Sequence, residues 1–284
     1  MIRPHSALAC VVLFGCATLE APPLLGPCGF DVAALKFAGD PLTQARCLLR
    51  PVARGGVLSR QPAVLPESLE DLVGQPVRDL KPRLRKYLAA QHIGDAAIGG
   101  SVDTPLSHGR DDDPAAPAAR YFVLHDTSTP WLGDVPSFPP DDDAHLNDLA
   151  QFAGPDAAAH MFVNRNGETL PGHDYRMPWR ATQFESRRIG LATRGLFLHN
   201  EFAQPRRHDP AGSAHNDLIA PLPGFTDAQY RRMALLYTAA SVRRGDWLIP
   251  AFHAALDEGL VQHPVNRFNY LDRDTGRASQ RPVL

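Results

Sequence analysis

Three histidines stand where a folded chain can present them rigidly. His125 closes the apolar run Tyr121-Phe122-Val123-Leu124. His253 follows Trp247-Leu248-Ile249, and His263 comes ten residues later, directly before Pro264. Most of the twelve histidines are expected to be surface or core residues. An imidazole at a strand end is different, because the sheet holds it in place, and it can ligate a metal or move a proton near neutral pH. A second group lies in Gly195–Phe202 (GLFLHNEF). Strand alternation places Phe197, His199 and Glu201 on one face. There Glu201 is suited to shuttle a proton and His199 to orient a leaving group or stabilise an oxyanion. Glu185 is a second carboxylate candidate.

These groups need a scaffold, and the chain supplies its signals. Tyr121–Leu124 is a short β-favouring run and reads as a buried strand. Met161–Arg165 reads as a second strand, followed by Asn166-Gly167, a strong hairpin signal. Gly195–Phe202 is a third, and Trp247–Ile249 gives a last strand-like run before Pro250. Between them, Thr226-Asp227-Ala228-Gln229 is a capping box. It opens a helix that runs from Asp227 to about Arg244 and stops at Gly245. Upstream, helices are expected near Pro41–Arg50 and over Leu80–Gln91, with Asp111–Pro117 (DDDPAAP) as a loop. Strands mixed with long helices predict an α/β domain built on a single mixed β-sheet flanked by helices.

Tyr121–Ser128 (YFVLHDTS) resembles the opening motif of the type-2 N-acetylmuramoyl-L-alanine amidase and peptidoglycan recognition protein family, an apolar strand ending in His-x-Thr. Ala158–Gly167 (AAHMFVNRNG) is similar to its second motif, a strand and hairpin ending in Gly. His253 and His263 have the spacing of the last two zinc ligands in one branch, whose third ligand is usually an Asp directly before Pro. The resemblance covers about residues 85–270 and implies a zinc site of His125, His253 and His263. A catalytic zinc keeps three protein ligands and one open position, and its bound water is nucleophilic near neutral pH. The implied activity is cleavage of the amide between N-acetylmuramic acid and L-alanine in peptidoglycan or muropeptides. Glu201 would serve as proton shuttle with His199 assisting, and Thr127, Trp179 and Arg180 would contact substrate.

The pattern departs from the family in four places. The family's Glu comes two residues after the strand's Gly, where this chain has Phe197. Its amidase branch carries a Lys two residues before the third ligand, where this chain has Val261, so Arg180 or Arg206 would have to supply the charge. His263 replaces the usual Asp. The stretch Trp179-Arg180-Ala181-Thr182 sits where an Ala-Trp-His run is common, and its His is missing. Two other readings therefore stay open. One is a protein of this fold that binds peptidoglycan without cutting it. The other is a zinc hydrolase of this fold acting on another amide, with the Pro-rich stretch 130–145 bordering its cleft.

Composition and the N-terminus bound the setting. The 284 residues are 44% hydrophobic and 21% charged, with net charge -2, ordinary for a globular chain with a real core. No basic face is implied, so nucleic acid is not an expected partner. Arg3 and the apolar run Ala7–Gly15 read as a secretory signal, too short to span a bilayer. The segment Leu13-Phe14-Gly15-Cys16 resembles a bacterial lipobox; the other reading is a plain cleaved signal. The division expected is 1–16 as signal, 17–85 as an N-terminal extension and 86–284 as the zinc amidase-like domain. The setting expected is the periplasm, with contact to the outer membrane only through a lipid on Cys16. Cys28 and Cys47 remain in the exported part, and an even pair there predicts a disulfide, with two buried thiols as the other reading.

Overall fold

The structure, a computed structural model, describes residues 24–51, 58–190, 194–213 and 216–260. The signal segment with Cys16, as well as Val261 and His263, lies outside the described residues. A short hairpin (β1, Phe30–Asp31; β2, Lys36–Phe37) leads into helix α1 (Pro41–Leu48), the single turn α2 (Glu67–Glu70), helix α3 (Leu80–Ala90) and the turn α4 (Gly109–Asp112). Then come β3 (Tyr121–Asp126), β4 (Met161–Val163), β5 (Thr169–Pro171) and β6 (Phe197–Phe202). A hairpin (β7, Arg207–Ser213; β8, Asn216–Ile219), helix α5 (Asp227–Arg244), strand β9 (Ile249–Phe252) and the turn α6 (His253–Leu256) complete the order.

The central sheet is five-stranded, in the order β5-β4-β6-β3-β9. Strand β6 runs parallel to β3 and β4, β9 runs parallel to β3, and β5 pairs antiparallel to β4. The chain is thus a mixed α/β protein. Four parallel strands bring their carboxyl ends to one side, where open α/β sheets form their crevices. In the central register Val123 lies opposite His199 and His125 opposite Glu201.

Each face of the sheet is covered. On one face Phe122 meets Tyr237 of α5, ring centroids 5.4 Å apart. Helix α5 begins at the expected box: the Thr226 hydroxyl accepts from Gln229 N at 3.1 Å, and Gln229 Oε1 accepts from Thr226 N at 3.0 Å. Gly245, with φ of 91°, ends it. On the other face Tyr121 and Phe197 stack at 4.9 Å, and Phe37 joins them edge-on to Tyr121 at 5.2 Å. The Tyr121 hydroxyl accepts from Phe37 N and donates to Gln44 Oε1, both at 2.9 Å.

The residues before 85 pack against the same sheet. Phe30, Phe37, Ala45 and Leu48 belong to the same buried cluster as Tyr121, Phe197 and Ile249, and α1 packs on β9 and α6. The segment called an extension is therefore a covering layer of the sheet. Cys28 and Cys47 are joined by a disulfide that ties the start of this layer to α1.

Three boundaries also differ from the reading of the sequence. The second strand stops at Val163 because Asn164 opens the turn: Gly167 N donates to Asn164 O at 3.0 Å and Glu168 N to Asn164 Oδ1 at 2.9 Å. Residues 111 and 112 lie in α4 and not in a loop. The last strand runs through Pro250. Ile249 N donates inward to Arg120 O at 2.9 Å, so by strand alternation the nitrogen of Pro250 faces away from the sheet. β9 is an edge strand, and that outward position tolerates a residue without an N–H.

Candidate functional site

The site is built at the carboxyl ends of β3, β6 and β9. His125, the last residue but one of β3, and His253, the first residue after β9, come together with ring centroids 4.4 Å apart. They are 128 residues apart in sequence and one strand apart in the sheet (253 − 125). Glu201 lies opposite His125 in the register, and its Oε1 is 3.5 Å from His125 Nδ1.

Each imidazole is held from outside through Nε2. His253 Nε2 meets Asp257 Oδ2 at 2.8 Å. The spacing is i,i+4, so one helical turn puts the carboxylate back on the ring. Asp257 also accepts from Gln183 N at 3.0 Å and Phe184 N at 2.8 Å. Burial pushes its carboxyl up, but the charge and hydrogen bond of His253 and these two N–H groups prevail and hold it below the ordinary range. His125 Nε2 is 3.0 Å from His199 Nδ1. Burial, then the neighbouring His253, His199 and His160, lower the His125 pKa well below the ordinary histidine range. At neutral pH it is therefore an uncharged imidazole, the form a metal takes.

His199 does not face a cleft. It is fully buried, with Nδ1 against His125 and Nε2 3.1 Å from Glu185 Oε2. Its backbone N–H donates to His160 Nδ1 at 3.0 Å, and His160 Nε2 is 3.0 Å from Met177 O. Both ring nitrogens face protein groups, so His199 stands behind His125 and not at the open strand ends.

The expected substrate contacts divide in the same way. Thr127 spends its hydroxyl locally, donating to Thr129 O at 3.1 Å and accepting from Thr129 N and Gln204 N at 3.1 and 3.3 Å. It shapes the loop after β3 and is not available to a substrate. Arg206 is fully buried and pairs with Asp126 at 2.9 Å, so it cannot replace the family lysine. Trp179 stacks on His173 at 3.7 Å between centroids and stays partly exposed. Arg180 follows it, half-buried.

The donors suit zinc: two imidazoles, each with its second nitrogen held, and a carboxylate beside one of them. Among the described residues no group of three such donors is close enough to hold a metal alone. His125 and His253 are two of the three expected ligands, and the third, His263, lies outside the described residues. Sequence reasoning missed Asp257, whose signal was the His-x-x-x-Asp spacing. It also missed His160, quoted only within a motif. Glu185 was noticed without its partner; Thr182-x-x-Glu185 is itself a capping-box pattern.

No family model matches the chain, and neither a curated protein nor a solved structure is significantly similar to it. Among the described residues no helix is long and apolar enough to cross a membrane.

Proposed function

We propose that this chain is a zinc-dependent amidohydrolase of the type-2 amidase kind, cleaving the amide between N-acetylmuramic acid and L-alanine in peptidoglycan or muropeptides. The observation that carries the reading is the meeting of His125 and His253 at the carboxyl ends of adjacent parallel strands, with Glu201 3.5 Å from His125. His125, His253 and His263 would hold the ion, which when bound polarises a carbonyl and lowers the pKa of water. Glu201 takes and returns the proton at Oε1. Asp257 and His199 orient the two imidazoles, while Trp179 and Arg180 border the substrate. Export, with a lipid on Cys16 anchoring the chain to the outer membrane from the periplasm, would bring it to peptidoglycan.

The test is the zinc content of the purified chain together with a peptidoglycan digest. About one zinc per chain, lost in His253→Ala, and free stem peptides with an L-alanine amino terminus are expected. A zinc-loaded protein that releases no such peptide sinks the activity. If it instead cuts a different amide, mass spectrometry of the products shows where.

One observation favours a second reading, a protein that binds peptidoglycan without cutting it. Arg206, one of the two cations that could stand in for the missing lysine, is bound to Asp126. Absence of zinc from the purified chain, with retained pull-down on peptidoglycan, decides for the binder.

A further inference from the structure

Arg50 is a buried cation that the chemistry above does not use. It lies just past α1, and its side chain is 9% exposed. Nε donates to Cys47 O at 2.8 Å and Nη1 to Ser59 O at 3.3 Å, which ties the guanidinium to the N-terminal layer. Nη2 lies 3.9 Å from Cys28 Sγ and donates to Glu258 Oε2, 208 residues away in sequence. Glu258 directly follows Asp257, the carboxylate on His253 Nε2. The pair therefore joins the layer to the turn that carries His253.

That turn does not hold itself. α6 has four residues, His253–Leu256, and no side chain caps its start. A single turn fixes several dihedrals for very few hydrogen bonds, so it does not persist alone. Its strand does not hold it either: β3 lies inside the sheet with a neighbour on each side, whereas β9 is paired on one side only. Of the two imidazoles that meet at 4.4 Å, it is His253 whose place depends on a grip from outside the sheet. The grip has two points. Asp257 accepts from Gln183 N and Phe184 N, and Glu258 accepts from Arg50. The second is a charge-assisted bond, roughly twice as strong as a neutral one.

We propose that Arg50 is a positioning residue for His253: through Glu258 it fixes the turn α6, so that the N-terminal layer sets how the two imidazoles stand toward a shared divalent metal ion. The inference rests on the zinc reading of the site. It gives the buried arginine a use beyond packing, since a buried ion pair is a poor source of stability in itself.

The experiment uses the purified full chain. Competition with a chelator gives the affinity for zinc, and the visible absorption of the cobalt(II)-loaded protein reads the coordination geometry. Arg50→Met keeps the bulk of the stem and leaves Glu258 partly open to water. It is expected to weaken zinc binding about 10-fold, the lower end of what outer partners of a metal site cost, and to shift the cobalt bands. Arg50→Lys keeps a charge for Glu258 and is expected to restore most of the affinity. Arg46→Met removes a partly exposed ion pair with Glu70 from α1 and is expected to change neither readout. A folded Arg50→Met chain with the zinc affinity and cobalt spectrum of the parent overturns the inference, and so does an equal loss in Arg46→Met. If Arg50→Met does not fold, Glu258→Gln removes the charge from the other end of the pair, and the same two outcomes decide. A parent that binds no zinc overturns the zinc reading and the inference together. Weakened zinc binding in Arg50→Met, in a chain that releases no peptide from peptidoglycan, supports the inference and sinks only the hydrolase.

Discussion

Glu201 and His199 sit two residues apart on one strand, yet they do different work. Alternation put both on the same face, and that was legible. What separated them was depth: Glu201 sits nearer the strand end and keeps partial exposure, while His199 is sealed beneath it. Depth comes from the covering layer and from the β3–β6 register, which join residues 74 apart in sequence. No local pattern encodes that. The same holds for Arg206, which as a sequence residue was a free cation and in the fold is the partner of Asp126. A prediction belongs here. On the function proposed above, Glu201→Gln removes the proton shuttle and leaves the imidazoles in place, so peptide release should fall by about 10²-fold or more with zinc content unchanged. Equal loss of zinc would make Glu201 a ligand and not a base.

Elements were read best where the signal is covalently local. The capping box at Thr226, the Asn166-Gly167 turn and the Gly245 stop each rest on residues within a few positions of one another. The extent of β9 was misread because a proline ends most strands, and only its place at the sheet edge makes Pro250 acceptable. Two of the local signals meet in space. Gly167 has φ of 77°, and a Cβ there would stand 2.7 Å from the carbonyl oxygen of Ala228, in the first turn of α5. The Thr226 hydroxyl also donates to Arg165 O at 2.6 Å. Gly167→Ala should destabilise by more than about 1 kcal/mol, from the left-handed backbone and the clash. Thr226→Ala should cost about 1 kcal/mol for the lost cap. Because the two sites touch through one helical turn, the double variant should depart from additivity. Urea unfolding of the three proteins measures this, and a strictly additive double variant would show that the turn and the helix start are independent.

For the whole molecule, the N-terminal layer is the part the sequence hid, since its short hairpin and isolated phenylalanines gave no periodic signal. Its contribution can be measured. The Cys28–Cys47 disulfide closes a loop with a sequence separation of 19, which in the chain-entropy model is worth about 3 kcal/mol. Replacing both cysteines by Ser should lower the denaturation midpoint accordingly, and an unchanged midpoint would mean the layer holds without its clasp. Stability should also depend on pH through His160. Burial, then His199, lower its pKa well below the ordinary 6.5, and its Nδ1 must stay unprotonated to accept from His199 N. The unfolded chain then binds a proton that the folded chain refuses. Stability is therefore fully present above about pH 6.5 and falls as pH drops below it, by up to about 1.4 kcal/mol per pH unit for this residue. Urea titrations of the metal-free protein should show this slope, and His160→Asn should make it shallower.

The sheet ends in a short strand on each side, and one of them carries a proline turned outward. A neighbouring chain that tried to extend the sheet beyond β9 would find an acceptor at Pro250 and no donor to match it. On the other side β5 offers only three residues. A strand that tried to pair with either edge of this five-stranded sheet finds only a few residues of backbone to follow. The residue that reads in the sequence as a stop is in the folded protein a gap in the donor row of the sheet's edge.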